Sequence, residues 1–473
     1  MSPASGPQKD LEAVLDQALG EAGVAGGDGI VAAVSGGLDS MVLLDLLHRT
    51  RASRRLHLHV AHLDHRLREE SAEDARFVAV AAESRGLPAT VEAVDVAGQA
   101  RRSGRSLEEE GREVRYALFE RVRRQSGCRW VAVAHHADDQ AETLLLRLLR
   151  GAGPAGLGAM SPVRDPGVLR PLLAATRAQI RDYASREGIE FREDSGNRDL
   201  AVPRNRVRHE LLPSLGRHLN PAVVDVLSRT ASLLRDEDDY LDGVARKAAR
   251  QALVCRDPEG VTLDAGRLLG YHRAVRRRVL RQYIQELAQR VPVSRAAVEA
   301  ASEAAATGSG LRSLAGGLWV QGTGASLILR RGPAPRVHAR VELPGRTQVP
   351  ERGVNLEARV LDPARFDEVR PSLDGWRAAF DAGAAEGELS LRSPRPGDRL
   401  QPLGMNGRHK KLSDCFIDAK WPRILRPEAL LLTHRPHTPD AEEEILWVAG
   451  LARSHRHRVA AGSRRILYLE FES

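Results

Sequence analysis

Aromatic residues fill only 4% of the 473 positions, so platforms for stacking single-stranded bases are scarce. Cysteine is scarcer still. Cys128, Cys255 and Cys415 are odd in number and far apart, which supports neither a disulfide framework nor a cysteine-based zinc or iron–sulfur site and suits a reducing cytoplasm. No apolar run approaches the roughly 20 residues that a membrane helix requires. The first residues also lack the charged, apolar and cleavage regions of an export signal, so a cytoplasmic protein with no membrane partner is expected. Lysine is almost missing: only five of 71 basic residues are lysine (Lys9, Lys247, Lys410, Lys411 and Lys420). Against 63 acidic residues the net charge is +8, with a pI of about 9.8, which makes an anionic partner plausible. An arginine bias of this kind also follows from a GC-rich genome, and that cause accounts for the bulk of the excess.

What is present divides into three stretches. From about 10 to 215, short apolar runs (29–34, 56–61, 89–94, 130–134) alternate with amphipathic segments (39–50, 71–85, 107–125, 138–150). That alternation predicts an α/β fold with a doubly wound parallel sheet whose ligands lie at the carboxyl ends of the strands. Residues 220–330, rich in Ala, Leu, Arg and Glu, carry helical periodicity, and strand-like segments follow beyond a Pro/Gly break at 331–346. The expected domains are therefore 1–216 (catalytic), 217–335 (helical) and 336–473 (small α+β).

The sharpest chemical signal is Ser35-Gly36-Gly37-Leu38-Asp39-Ser40, between an apolar run and an amphipathic helix. Two glycines running into a helix start offer backbone N–H groups and a positive helix end to phosphate. Ser35 and Ser40 can donate hydrogen bonds, and Asp39 can hold a magnesium ion on the phosphates. An ordinary strand-to-helix turn would explain a bare Gly-Gly; it does not explain the whole word in this context. No Gly-Lys-Ser/Thr follows, so this is not a Walker loop. Gly151-Ala-Gly153-Pro-Ala-Gly156 matches a dinucleotide fingerprint but follows a helix rather than a strand, and reads as a helix stop.

The six-residue word resembles the pyrophosphate loop of the PP-loop ATPases. Further words, in order, are His62-Leu-Asp-His65-Arg-Leu-Arg68, Glu110-Gly-Arg112-Glu-Val-Arg115-Tyr116, His135-His136-Ala-Asp138-Asp139-Gln140-Ala-Glu142-Thr143, Leu169-Arg170-Pro171, Glu193-Asp194-Ser195-Gly196-Asn197 and Arg204-Asn205-Arg206-Val207-Arg208. Gly397-Asp398-Arg399 and Lys410-Lys411-Leu412 return in the last stretch. Together these resemble the tRNA(Ile)-lysidine synthetase family. Phe191, Gly196 and Val202-Pro203 depart from its usual pattern of Trp, Ser and an aromatic residue.

The resemblance implies an N-terminal PP-loop ATP pyrophosphatase domain, with ATP held by Ser35, Gly36, Gly37, Leu38, Asp39, Ser40, His62 and Arg115. Asp39 is the tentative magnesium ligand, and Asp39 and His135 are the candidate catalytic residues. It implies that Asp139 and Glu142, three apart on one helical face, hold free L-lysine, with Arg208 or Arg204 on its carboxylate. The partner implied is isoleucine tRNA with a CAU anticodon, touched by Arg112, Lys410 and Lys411; a homodimer is a candidate assembly.

Bland readings stand beside these. His57 and His59 alternate with apolar residues and read as strand-surface polar groups. The HHADDQAE word invites a metal cluster, but no third ligand word supports it. Arg112 and Arg115 alone would be surface charge. Three of five lysines within eleven residues (410–420) are harder to dismiss, and suit RNA phosphates. The competing functions are a PP-loop tRNA thiolase, disfavoured by the scattered cysteines, and a noncatalytic RNA-binding protein.

Overall fold

The computed structural model describes residues 10–472, apart from 67–70, 165, 193–199, 290, 333–334 and 439–440. Of the motif residues, Arg68 and 193–197 lie outside the described residues. The chain forms two compact units, Met1–Tyr240 and Leu241–Ser473.

The first unit is built on a sheet of β1 (Gly29–Ala33), β2 (His57–Asp64), β3 (Ala89–Ala93), β4 (Trp130–Ala132), β5 (Val163–Arg164) and β6 (Val168–Leu169), in the order β3-β2-β1-β4-β6-β5. All pairings are parallel except β5 with β6. Its helices are α1 (Leu11–Glu21), α2 (Leu38–Arg54), α3 (Ser71–Glu83), α4 (Val96–Ser103), α5 (Leu107–Gln125), α6 (Ala137–Leu149), α7 (Pro154–Leu157), α8 (Arg177–Glu187), α9 (Pro203–Arg206), α10 (Leu212–His218) and α11 (Val223–Ala252), which runs into the second unit. β1 is buried on both faces: Ile30 and Ala32 turn to one core, Val31 and Ala33 to the other. α2 supplies Leu43, Leu44, Leu46 and Leu47 to the first of these cores, all fully buried, at roughly 1.5–3 kcal/mol each. Strand order reverses at β1, which pairs with β2 on one side and β4 on the other, so the crevice between the ends of β1 and β4 is where this topology places a ligand.

The second unit contains the helices α12 (Ala265–Gly270), α13 (Arg273–Ala288) and α14 (Arg295–Thr307). They pack on an antiparallel sheet that helical periodicity did not foreshadow, made of β7 (Leu253–Asp257), β8 (Gly260–Asp264), β9 (Leu311–Leu314), β10 (Leu318–Gly322) and β11 (Ser326–Arg331). A separate core follows, between two antiparallel sheets. One sheet holds β12 (His338–Arg340), β16 (Gly387–Arg392), β19 (Leu431–Pro436), β20 (Glu444–Val448) and β21 (Ala452–Arg453). The other holds β13 (Gly345–Val349), β14 (Val354–Leu361), β15 (Arg377–Asp381) and β22 (Ile466–Glu472). Helix α15 (Pro363–Val369), the short pair β17 (Arg399–Leu400) and β18 (Lys410–Lys411), and helix α16 (Leu412–Asp418) complete it. We retain 1–216, 217–335 and 336–473 as a proposed functional division of these two units.

Candidate active site

β1 runs directly into the Ser35–Ser40 loop. The Ser35 N–H donates to Ser40 Oγ (3.1 Å), Ser40 Oγ donates to the Gly37 carbonyl (2.9 Å), and the two serine hydroxyls are 3.1 Å apart. Gly36 adopts φ +88°, a conformation strained for any side chain. Gly37 carries no such strain: its φ is −78°, and a Cβ there would meet only ordinary contacts. As N-cap of α2 it offers no side chain to the first-turn amides; the Ser40 N–H donates back to the Gly37 carbonyl (3.1 Å), which leaves those of Leu38 and Asp39 available to an anion. Leu38 is buried in the core beneath, so it contributes to the cradle only through its backbone. Asp39 Oδ1 is buried without a hydrogen-bond partner, a donor suited to a hard cation such as magnesium.

At the end of β4 the chain enters α6 through His135 and His136. The His136 N–H donates to Asp139 Oδ2 (3.1 Å), tying the helix start. The His136 ring is 2% exposed, with Nε2 3.7 Å from Asp39 and 3.6 Å from Asp139, and Nδ1 3.5 Å from Asp138. Burial alone would lower its pKa; the carboxylates of Asp138, Asp139 and Asp39 outweigh it and raise the pKa to about 10. His135 goes the opposite way. Burial, reinforced by Arg170, Arg204 and Arg112 against the pull of Asp139, lowers it to about 4. Two adjacent imidazoles therefore differ in charge at neutral pH.

Asp139 and Glu142 face one partner set. Arg204 enters on α9, started by Pro203 at its first position, so the Val202-Pro203 departure makes a regular helix start. Arg208 sits in the π-turn Val207–Leu211 and reaches the same acids. Arg204 donates to Glu142 Oε2 and Asp139 Oδ1, both at 2.7 Å. Arg208 donates to Glu142 Oε1 (2.5 Å) and Oε2 (3.1 Å) and to Asp139 Oδ1 (3.1 Å). Glu142 is fully buried, at 0% exposure. Burial would raise the pKa of Asp139, but His136, Arg204 and His135 lower it to about 2. Both arginines thus engage both carboxylates. His136 joins this cluster to Asp39 of the loop, although in the sequence only its neighbour His135 stands out as a candidate catalytic residue.

The remaining candidates are placed as follows. His62 is buried, and its Nδ1 donates to the Val34 carbonyl (2.8 Å), one residue before the loop, so the ring supports the loop entrance. Arg115 is exposed and lies 3.2 Å from His65 Nε2, while Arg112 lies over the Tyr116 ring at 5.4 Å, with Arg164 also on that ring at 4.3 Å. In the second unit Lys410 is ion-paired with Asp418, whereas Lys411 is exposed at the start of α16. Asp398 is structural: it accepts from both terminal guanidinium nitrogens of buried Arg392, at 2.8 and 2.9 Å. Gly151 ends α6 with φ +76°, the helix stop expected there.

Residues 7–215 match a family model described as a PP-loop domain, and residues 389–469 match one described as the TilS substrate C-terminal domain. The tRNA(Ile)-lysidine synthase of Geobacter sulfurreducens is 39% identical over 472 residues, covering 93% of this chain and 92% of that protein. Its namesake in Symbiobacterium thermophilum is 36% identical over 464 residues, covering 93% and 92% respectively. A third, from Caldanaerobacter subterraneus subsp. tengcongensis, is 30% identical over 451 residues and covers 94% of each chain. Similarity of this degree along nearly the full length of both chains means that the protein belongs to the tRNA(Ile)-lysidine synthase family.

Proposed function

We propose that the protein ligates free L-lysine to carbon-2 of the wobble cytidine in the CAU anticodon of an isoleucine tRNA, in the cytoplasm, consuming ATP and releasing AMP and pyrophosphate. The reading rests first on one observation: His136 links Asp39 of the phosphate loop to Asp139 of the four-residue ionic cluster, so an ATP site and an amino-acid site share one wall.

In this proposal the Ser35–Ser40 loop holds the ATP phosphates through first-turn amides and the Ser35 and Ser40 hydroxyls. His62 supports the loop, and Arg115 stands as a further phosphate contact. Magnesium, when bound through Asp39, would neutralise phosphate charge. The cytidine O2 attacks the α-phosphorus, forming the O2–P bond as the bond to pyrophosphate breaks. The ε-nitrogen of lysine then attacks carbon-2, and AMP leaves with O2.

The ionic cluster bears on the second step. Two carboxylates and two guanidiniums balance, so a lysine that brings one α-ammonium and one α-carboxylate leaves the balance unchanged. The ε-nitrogen attacks in its uncharged form, the only one with a free lone pair. Arg208 or Arg204 turns to the lysine carboxylate as Asp139 and Glu142 take the ammonium. His135, with a pKa of about 4, suits a hydrogen-bonding relay better than proton storage. Arg112, Lys411 and Lys410 are proposed tRNA contacts.

Incubating the chain with CAU isoleucine tRNA, ATP and labelled lysine tests the proposal: pyrophosphate release should require tRNA, and label should enter tRNA. Binding of tRNA without turnover would sink it.

A further inference from the structure

The second unit contains a cluster unconnected with the site above. His434 on β19 lies opposite Glu444 on β20 in the sheet register, and His457 comes from the loop after β21. His434 Nδ1 and His457 Nε2 each lie 3.2 Å from the same carboxylate oxygen, Glu444 Oε1, and the three ligand-type atoms are all within 4.8 Å of one another. A tetrahedral ion with bonds of about 2.0 Å separates adjacent ligand atoms by roughly 3.3 Å, so both spacings match a coordination edge.

The surroundings hold these groups in place. His434 is 2% exposed. Arg456 donates to the other oxygen, Glu444 Oε2 (2.6 Å), which orients the carboxylate while leaving Oε1 to the imidazoles, as an outer-shell partner does at a metal centre. His457 adopts φ +54°, uncommon for histidine, and its carbonyl accepts from the Asp381 N–H at 2.6 Å. The backbone is thus fixed in a costly conformation that turns the ring onto Glu444.

We propose that His434, Glu444 and His457 form a binding site for a zinc-class divalent cation, with water completing the coordination, which pins the basic loop 454–458 to the sheet. Two imidazoles and one carboxylate are a borderline donor set that suits zinc or cobalt better than magnesium or calcium.

The test uses the full chain stripped with EDTA and titrated with zinc chloride by calorimetry, with cobalt as a spectroscopic probe. The unaltered chain should take up zinc at this site and give the intense visible absorption of tetrahedral cobalt. Affinity should fall roughly a hundredfold or more in Glu444→Gln and in His457→Gln. Asp39→Ala, at the other carboxylate site, should keep this uptake. Zinc should also protect the bonds after Arg456 and Arg458 from trypsin in the unaltered chain and not in His457→Gln. If Glu444→Gln does not fold, His457→Gln, in a half-buried loop, decides alone. No uptake by the stripped chain, equal uptake by the ligand variants, or uptake abolished by Asp39→Ala would each overturn the proposal. The first result would mean that two imidazole–carboxylate hydrogen bonds hold the cluster without an ion.

Discussion

Replacing Glu142 by glutamine keeps its shape and removes one charge from the centre of the proposed lysine site. Glu142 is fully buried and accepts three guanidinium hydrogen bonds, two from Arg208 and one from Arg204. With the charge gone, two guanidiniums face Asp139 alone. Truncating one partner of a buried charge pair costs roughly 2–5 kcal/mol. At about 1.4 kcal/mol per tenfold, kcat/KM for lysine should fall between roughly thirtyfold and four-thousandfold. Adenylation precedes lysine attack, so tRNA-dependent pyrophosphate release measured without lysine should change little. Two assays on one preparation decide the matter: a lysine titration of incorporation, and pyrophosphate release at zero lysine. A urea transition alongside separates site effects from the loss of stability, which could reach about 3 kcal/mol. Loss of adenylation with an unchanged lysine requirement would refute the role given to this cluster.

Asp139→Ala should likewise raise the lysine requirement strongly and spare the adenylate, read by the same pair of assays. Lys411→Ala should weaken tRNA binding and reduce the dependence of log affinity on log salt by about one unit, measured by filter binding at several salt concentrations; Lys410→Ala should do less, because Asp418 already engages that ammonium. Arg392→Met should lower stability by about 3–5 kcal/mol, since it leaves Asp398 and Glu443 without the buried cation between them; an unchanged urea midpoint would contradict this. The folded pKa of His135, about 4, lies below the usual 6.5, so the unfolded chain takes up its proton first and stability is lost as pH falls from 6.5 towards 4. His135→Asn should therefore lose less stability between pH 7.5 and 5 than the unaltered chain, by up to about 2 kcal/mol, and equal losses would refute the assignment.

The parallel sheet was legible because each strand of the first unit is a short apolar run closed by a turn and followed by an amphipathic helix. The same context marked the Ser35–Ser40 loop. Asp139 and Glu142 could be paired by helical spacing, but the family resemblance places Arg204 or Arg208 only on the lysine carboxylate, and nothing in the sequence signals that both arginines, more than sixty residues away, pair with the two acids. The role of His136 is not legible in the sequence for a physical reason. Which of two adjacent histidines turns inward depends on how β4 exits into α6, although the position just before the helix, three residues from Asp139, was an available signal. The sheet β7–β11 was hidden because its strands are four to six residues long and include Arg312 and Gln321 within a stretch dominated by helical composition. The pairing of Lys410 with Asp418, eight residues apart and running from β18 to the end of α16, has no periodic signature.

The most direct measurement combines purified chain, CAU isoleucine tRNA, ATP and labelled lysine, and follows pyrophosphate and tRNA-bound label together. Release of pyrophosphate should depend on the tRNA, with label fixed at the wobble cytidine in matching amount. Tight tRNA binding with neither pyrophosphate nor label would contradict the proposed ligation.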